Sequence, residues 1–83
     1  MVWSRPAKRA IEKELPESVA AAALELILGP LRDNPRRIGK PLRPPLDGVY
    51  SARRATYRVL YRIDDDTRTI TIEAIRHRSS AYR

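Results

Sequence analysis

The sequence predicts an α+β fold, an N-terminal helical hairpin packed on one face of a small, mainly antiparallel sheet. Three observations predict it. Apolar side chains recur at helical spacing between residues 16 and 31. From Val49 onward the pattern becomes strand-like, in runs rich in Val, Ile, Tyr and Thr. The chain has 83 residues, enough for a single domain over 1–83 with one thin core. Helices first and strands afterwards gather the helices on one sheet face.

Val2 and Trp3 suit a short first strand within residues 1–4. Pro6 suits the first turn of a helix, and residues 6–14 are good helix formers with Ala7, Ala10, Ile11 and Glu14 on one side. Pro16 ends that helix, because proline disfavours a helical residue before it. A second helix starts at Pro16 or Glu17, where Glu17 favours the helix dipole. Its apolar stripe is Ala20, Ala23, Leu24, Ile27, Leu28 and Leu31. Gly29-Pro30 is expected to end or kink it. Residues 32–48 hold four Pro and two Gly and are expected to form an irregular loop under Leu42 and Leu46. Strands are expected over 49–54, 57–63 and 68–76. Ala55-Thr56 joins the first two, and Asp64-Asp65-Asp66-Thr67 turns between the last two.

Composition narrows the function. There is no Cys, which excludes disulfides and thiolate zinc sites. His77 is the only His, so His-based metal sites are excluded as well. The start of the chain shows no apolar run of signal-peptide length. The stretch from Val19 to Leu28 contains Glu25 and is too short to span a bilayer. A cytoplasmic protein without membrane association is expected.

The net charge is +7, and 14 of the 17 basic residues are Arg. In residues 1–31, Arg5, Lys8, Arg9 and Lys13 balance Glu12, Glu14, Glu17 and Glu25. The whole excess therefore lies in residues 32–83. Arginine suits bidentate phosphate contacts and base stacking, so this half favours a polyanion. A merely solvated surface is the competing reading.

Alternation sharpens the first reading. If Tyr57, Val59, Tyr61 and Ile63 face the core, Arg58, Leu60 and Arg62 face away. If Tyr50 and Ala52 face inward, Ser51 and Arg53 face outward beside Arg58. Two guanidiniums on one open face point to an anion between them, unless both splay into water at little cost. Arg76 follows the last strand and is a third candidate. In a regular strand it would share the core face with Ile70, Ile72 and Ala74. The strand must bulge or end near Ile75 for Arg76 to reach the open face. Tyr82 is a terminal aromatic able to stack on a base or exchange a proton, or simply a hydrophobic plug. Asp64, Asp65 and Asp66 read as a solvated turn rather than a cation site, and His77 as a surface residue rather than a general base. No metal and no cofactor are expected.

Three segments carry a family resemblance. They are Gly39-Lys40-Pro41-Leu42, Leu46-Asp47-Gly48-Val49-Tyr50-Ser51-Ala52-Arg53-Arg54, and Tyr57-Arg58-Val59-Leu60-Tyr61-Arg62-Ile63-Asp64. Together they resemble the RelE/ParE toxin superfamily, and Arg76-His77-Arg78 with Tyr82 resembles its RelE branch. The resemblance covers nearly the whole chain. It implies the toxin of a type II toxin–antitoxin module, a messenger-RNA endonuclease that cuts in the ribosomal A site without metal. The RNA 2′-hydroxyl attacks the adjacent phosphate. Matched residue by residue, the implied catalytic set is Arg53, Arg58, Arg76 and Tyr82. Lys40, Ser51, Arg54, His77 and Arg78 are the implied RNA-binding residues. Some family members carry Lys in the first outward strand, where Ser51 and Arg53 stand here, and arginine is a poor base.

The implied partners are a RelB-like antitoxin, the ribosome and messenger RNA, with operator DNA bound only through the antitoxin complex. Two other readings share the fold: a ParE-type inhibitor of DNA gyrase, and a degenerate domain that binds antitoxin or RNA without cleaving. Cleavage without magnesium, inhibition of supercoiling, or binding alone distinguishes the three.

Overall fold

The structure is a computed structural model that describes residues 1–78. It begins with strand β1 (Val2–Trp3) and helix α1 (Arg5–Arg9), which runs on into a π-helical turn over Ala10–Glu14. Ser4 caps α1, its hydroxyl accepting from the Ala7 amide at 3.2 Å. Leu15 leaves the helix in an extended conformation (ψ 146°), as the following proline requires. Helix α2 (Glu17–Leu26) returns antiparallel and continues as a second π-helical turn over Ile27–Leu31.

Of the two outcomes expected at Gly29-Pro30, an end or a kink, the helix does not end there. Proline in an α-helix clashes with the carbonyl four residues back, and the wider i→i+5 turn accommodates Pro30 within the continuing helix. The same turn shifts the apolar stripe. Ala23, Leu26, Ile27 and Leu31 are buried, whereas Leu28, expected in the core, is 46% exposed.

The loop expected over 32–48 is also partly regular. It contains helix α3 (Pro35–Ile38) and strand β2 (Lys40–Pro41). Both are set by tertiary contacts. The Tyr61 hydroxyl donates to the Pro35 carbonyl. Gly39 lies close against the hydroxyl end of the Tyr61 ring, where a Cβ would come within 2.3 Å of the phenolic oxygen. Arg36 pairs with Asp65 at 2.5 Å. Gly48 then takes a left-handed φ of 84° to turn the chain into the sheet.

Strands β3 (Val49–Arg53), β4 (Tyr57–Asp64) and β5 (Thr69–His77) form the meander. The five strands lie in the order β1-β5-β4-β3-β2. All pairs are antiparallel except β1 with β5, which is parallel. The Asp64 carboxylate shapes the β4–β5 turn by accepting from the Asp66 and Thr67 amides. One core joins the layers. Ala7, Ala10, Ala23, Leu26, Ile27 and Leu31 from the helices meet Ala52, Val59, Tyr61, Ile72 and Ile75 from the sheet. The expected architecture thus holds, and among the described residues the helices leave the opposite sheet face uncovered along Arg53, Arg58 and Arg76.

Candidate anion-binding site

The inner residues Ala52, Val59 and Ile75 are buried, so their strand neighbours point the other way. In the register Arg53 lies opposite Arg58, and Arg58 opposite Arg76. Paired residues share a face, so three guanidinium side chains form one row across three adjacent strands. Like charges directly opposite each other destabilise a sheet. Among the described residues none of the three makes an ion pair. Among the described residues the ion pairs join Arg32 to Asp33, Arg36 to Asp65 and Arg62 to Glu73.

Arg76 reaches this row by a bulge. Leu60 pairs with Ala74, but Tyr61 pairs with Ile72, so Glu73 is an extra residue in β5. Ile70 and Ile72 face the core before it, and Ile75 faces the core after it. The extra residue shifts the phase by one and sends Arg76 outward. The sequence required the strand to bulge or end near Ile75; it bulges, two residues earlier.

The row ends in a cleft of about 490 Å³ lined by Arg53, Arg54, Thr56, Arg58, Arg76 and Arg78, with Ala55, Tyr57 and His77 completing it. Among the described residues no carboxylate lines it. The Arg78 amide donates to the Thr56 carbonyl at 2.7 Å, tying the end of β5 to the β3–β4 turn. Arg54 folds back to donate to the Arg53 carbonyl at 2.7 Å. Burial raises the Tyr57 phenol above its ordinary value, with Arg54 opposing the shift. A cleft lined by five arginines and, among the described residues, by no acid is suited to an anion of the phosphate class.

Of the residues expected at the site, Arg53, Arg54, Arg58, Arg76, His77 and Arg78 come together. Lys40 and Ser51 pair with each other on the same open face, but one row along the strands and outside the cleft. Tyr82 lies outside the described residues. Sequence reasoning missed Thr56 and Tyr57 as lining residues. The tight Ala55-Thr56 connection was their signal, since it folds the hairpin tip beside the strand end.

The family model for the ParE toxin of the type II toxin–antitoxin system parDE matches residues 1–82. The chain belongs to the ParE toxin family. The toxin is 52% identical over 71 residues to toxin RelE of Mycobacterium tuberculosis, covering 86% of this chain and 73% of that one. It is 49% identical over 81 residues to toxin RelG of the same organism, covering 98% and 92%. Among solved structures, the RelBE2 toxin–antitoxin complex of M. tuberculosis superposes on the toxin with a TM-score of 0.85 at 47% identity, covering 92% of this chain and 93% of that one. The YoeB/ParE toxin of Agrobacterium tumefaciens shares the fold with a TM-score of 0.69 at 22% identity, covering 92% and 94%. This toxin is thus a RelE-like member of a type II toxin–antitoxin system.

Proposed function

We propose that the toxin is a ribosome-dependent endonuclease that cuts messenger RNA in the A site. The observation that carries this reading is the unpaired arginine row Arg53–Arg58–Arg76 across three strands. The RNA 2′-oxygen attacks the adjacent phosphorus, the bond to the 5′-oxygen breaks, and a 2′,3′-cyclic phosphate and a 5′-hydroxyl remain. The proton leaves the 2′-hydroxyl and one is delivered to the departing 5′-oxygen. Charge builds on the non-bridging oxygens in between. Arg58, central in the row, and Arg76 beside it donate to those oxygens, a contribution of about 3–4 kcal/mol per donor. Arg53 holds the phosphate from the other side. Arginine stays protonated, so the row serves the charge and not proton removal. Tyr82 stacks on the base and orients the nucleophile. Lys40, Ser51, Arg54, His77 and Arg78 bind the flanking RNA. The reaction uses no metal or cofactor.

The partner that silences the toxin is a RelB-like antitoxin, in keeping with the complex in which its 47% identical relative was solved. Operator DNA is bound through that complex, and the site of action is the cytoplasm. The test is messenger cleavage on translating ribosomes. Wild-type toxin is expected to cut in the A site, and Arg58→Ala, Arg76→Ala and Tyr82→Ala to lose about 10²–10³-fold in rate. A folded wild type that leaves the messenger intact refutes the proposal. Gyrase supercoiling is then the next assay, because the matching family model is that of a ParE toxin.

A further inference from the structure

We propose that Ser4 is a positioning residue for Arg76, acting through the bulge at Glu73; this rests on the reading of the arginine row as an anion site. Ser4 stands where three elements meet. Its amide donates to the Ile72 carbonyl at 2.9 Å, ending the parallel pairing of β1 with β5. Its hydroxyl donates to the Glu73 carbonyl at 2.5 Å and accepts from the Ala7 amide at 3.2 Å. The same oxygen therefore caps α1 and ties down the extra residue of β5.

The tie matters because Glu73 has no partner across the β4–β5 ladder. A bulge residue leaves its backbone groups out of the ladder, and Ser4 gives the Glu73 carbonyl a donor. The Glu73 side chain turns to the open face and pairs with Arg62 at 3.0 Å. Ile72 and Ile75 both need the core, so a phase change must occur between them. Nothing in that apolar pattern chooses between Glu73 and Ala74 as the extra residue. Ser4 chooses Glu73, and three residues further on that choice fixes the height and angle at which Arg76 meets Arg58. A row of guanidiniums acting on one phosphate is sensitive to displacements of about 1 Å.

The two duties of Ser4 are separable by chemistry. Ser4→Thr keeps the donor and the acceptor. Ser4→Asp keeps a good helix cap but sets a carboxylate against the Glu73 carbonyl. The experiment compares both with wild type by NMR. It follows the cross-strand contacts of 60 with 74 and 58 with 76, and the Arg76 side-chain signal during titration with inorganic phosphate. Ser4→Thr is expected to match wild type. Ser4→Asp is expected to remain folded, to exchange the 60–74 contact for one of 60 with 73 while 58 stays opposite 76, and to bind phosphate about fivefold more weakly at Arg76.

Deletion of Glu73 adds a check on mechanism. Without the extra residue plain alternation from Ile72 carries Arg76 outward, so in that background Ser4→Asp is expected to cost nothing at Arg76. A folded Ser4→Asp protein with the 60–74 contact intact and unchanged phosphate binding overturns the proposal, as does a cost that persists undiminished in the deletion background. If wild-type Arg76 shows no response to phosphate, the anion site fails, and the cross-strand contacts alone still decide the role of Ser4.

Discussion

At the scale of single residues, the toxin joins a site that opposes stability to contacts that supply it. Three arginines in register repel one another, and among the described residues no acid offsets them at the cleft. Tyr61 works in the other direction. It is fully buried, stacks on Tyr50 with ring centres 5.6 Å apart, and donates to the Pro35 carbonyl. Gly39 exists to admit that ring. Gly39→Ala would place a Cβ 2.3 Å from the phenolic oxygen, and overpacking of this kind is expected to cost about 1–3 kcal/mol, read as a lowered midpoint in urea. Burial also raises the Tyr61 phenol above its ordinary value of 10.0. The folded chain then holds that proton more tightly than the unfolded one. This stabilising contribution is fully present below about pH 10 and is lost as pH rises through the folded value. Denaturant titrations at increasing pH are expected to show an alkaline fall in stability that Tyr61→Phe reduces.

At the scale of elements, irregularities in the helices and in β5 place the side chains. The π-helical turn over Ile27–Leu31 admits Pro30 and moves Leu28 to the surface. Gly29 within it has open space where a Cβ would stand. Gly29→Ala is expected to stabilise the toxin by about 0.5–1 kcal/mol, since glycine inside a helix is costly in entropy; thermal unfolding checks it. The bulge in β5 does the opposite kind of work. It gives up one ladder position and gains an outward Arg76. Regular pairing across all of β5 would expose Ile75 and bury a guanidinium, which is far more expensive than one bulge.

At the scale of the whole molecule, a formal charge of +7 on 83 residues adds long-range attraction to RNA on top of the local site. Affinity for a single strand falls with salt by about 0.7 log units per log unit for each phosphate neutralised. Three arginines acting on one phosphate contribute a slope of about −0.7 together, and each Arg→Ala at 53, 58 or 76 should remove part of it. Filter binding of a cleavage-resistant RNA over a range of salt measures this. A slope that is unchanged by all three substitutions would place the phosphate contacts elsewhere on the surface. No helix of the described chain is long and apolar enough to cross a membrane.

The sequence by itself determined the fold class, the two helices, the three long strands and the outward placement of Arg53 and Arg58. These follow from periodicity, which is local: an apolar stripe or an alternation fixes which side chains share a face. It also carried the conflict of Arg76 sharing a face with Ile70, Ile72 and Ala74, which required the strand to bulge or end near Ile75. Tertiary structure alone decided where that conflict is resolved, because the donor that fixes Glu73 comes from Ser4, 69 residues away along the chain. It alone decided that residues 35–41 are ordered, since Tyr61 and Asp65 hold them from another strand and its turn. It also decided that the second helix runs through Gly29-Pro30, since Leu31 is needed in the core. In each case a contact distant in sequence outweighed a local preference worth about 1–3 kcal/mol, and only the folded chain brings such contacts together.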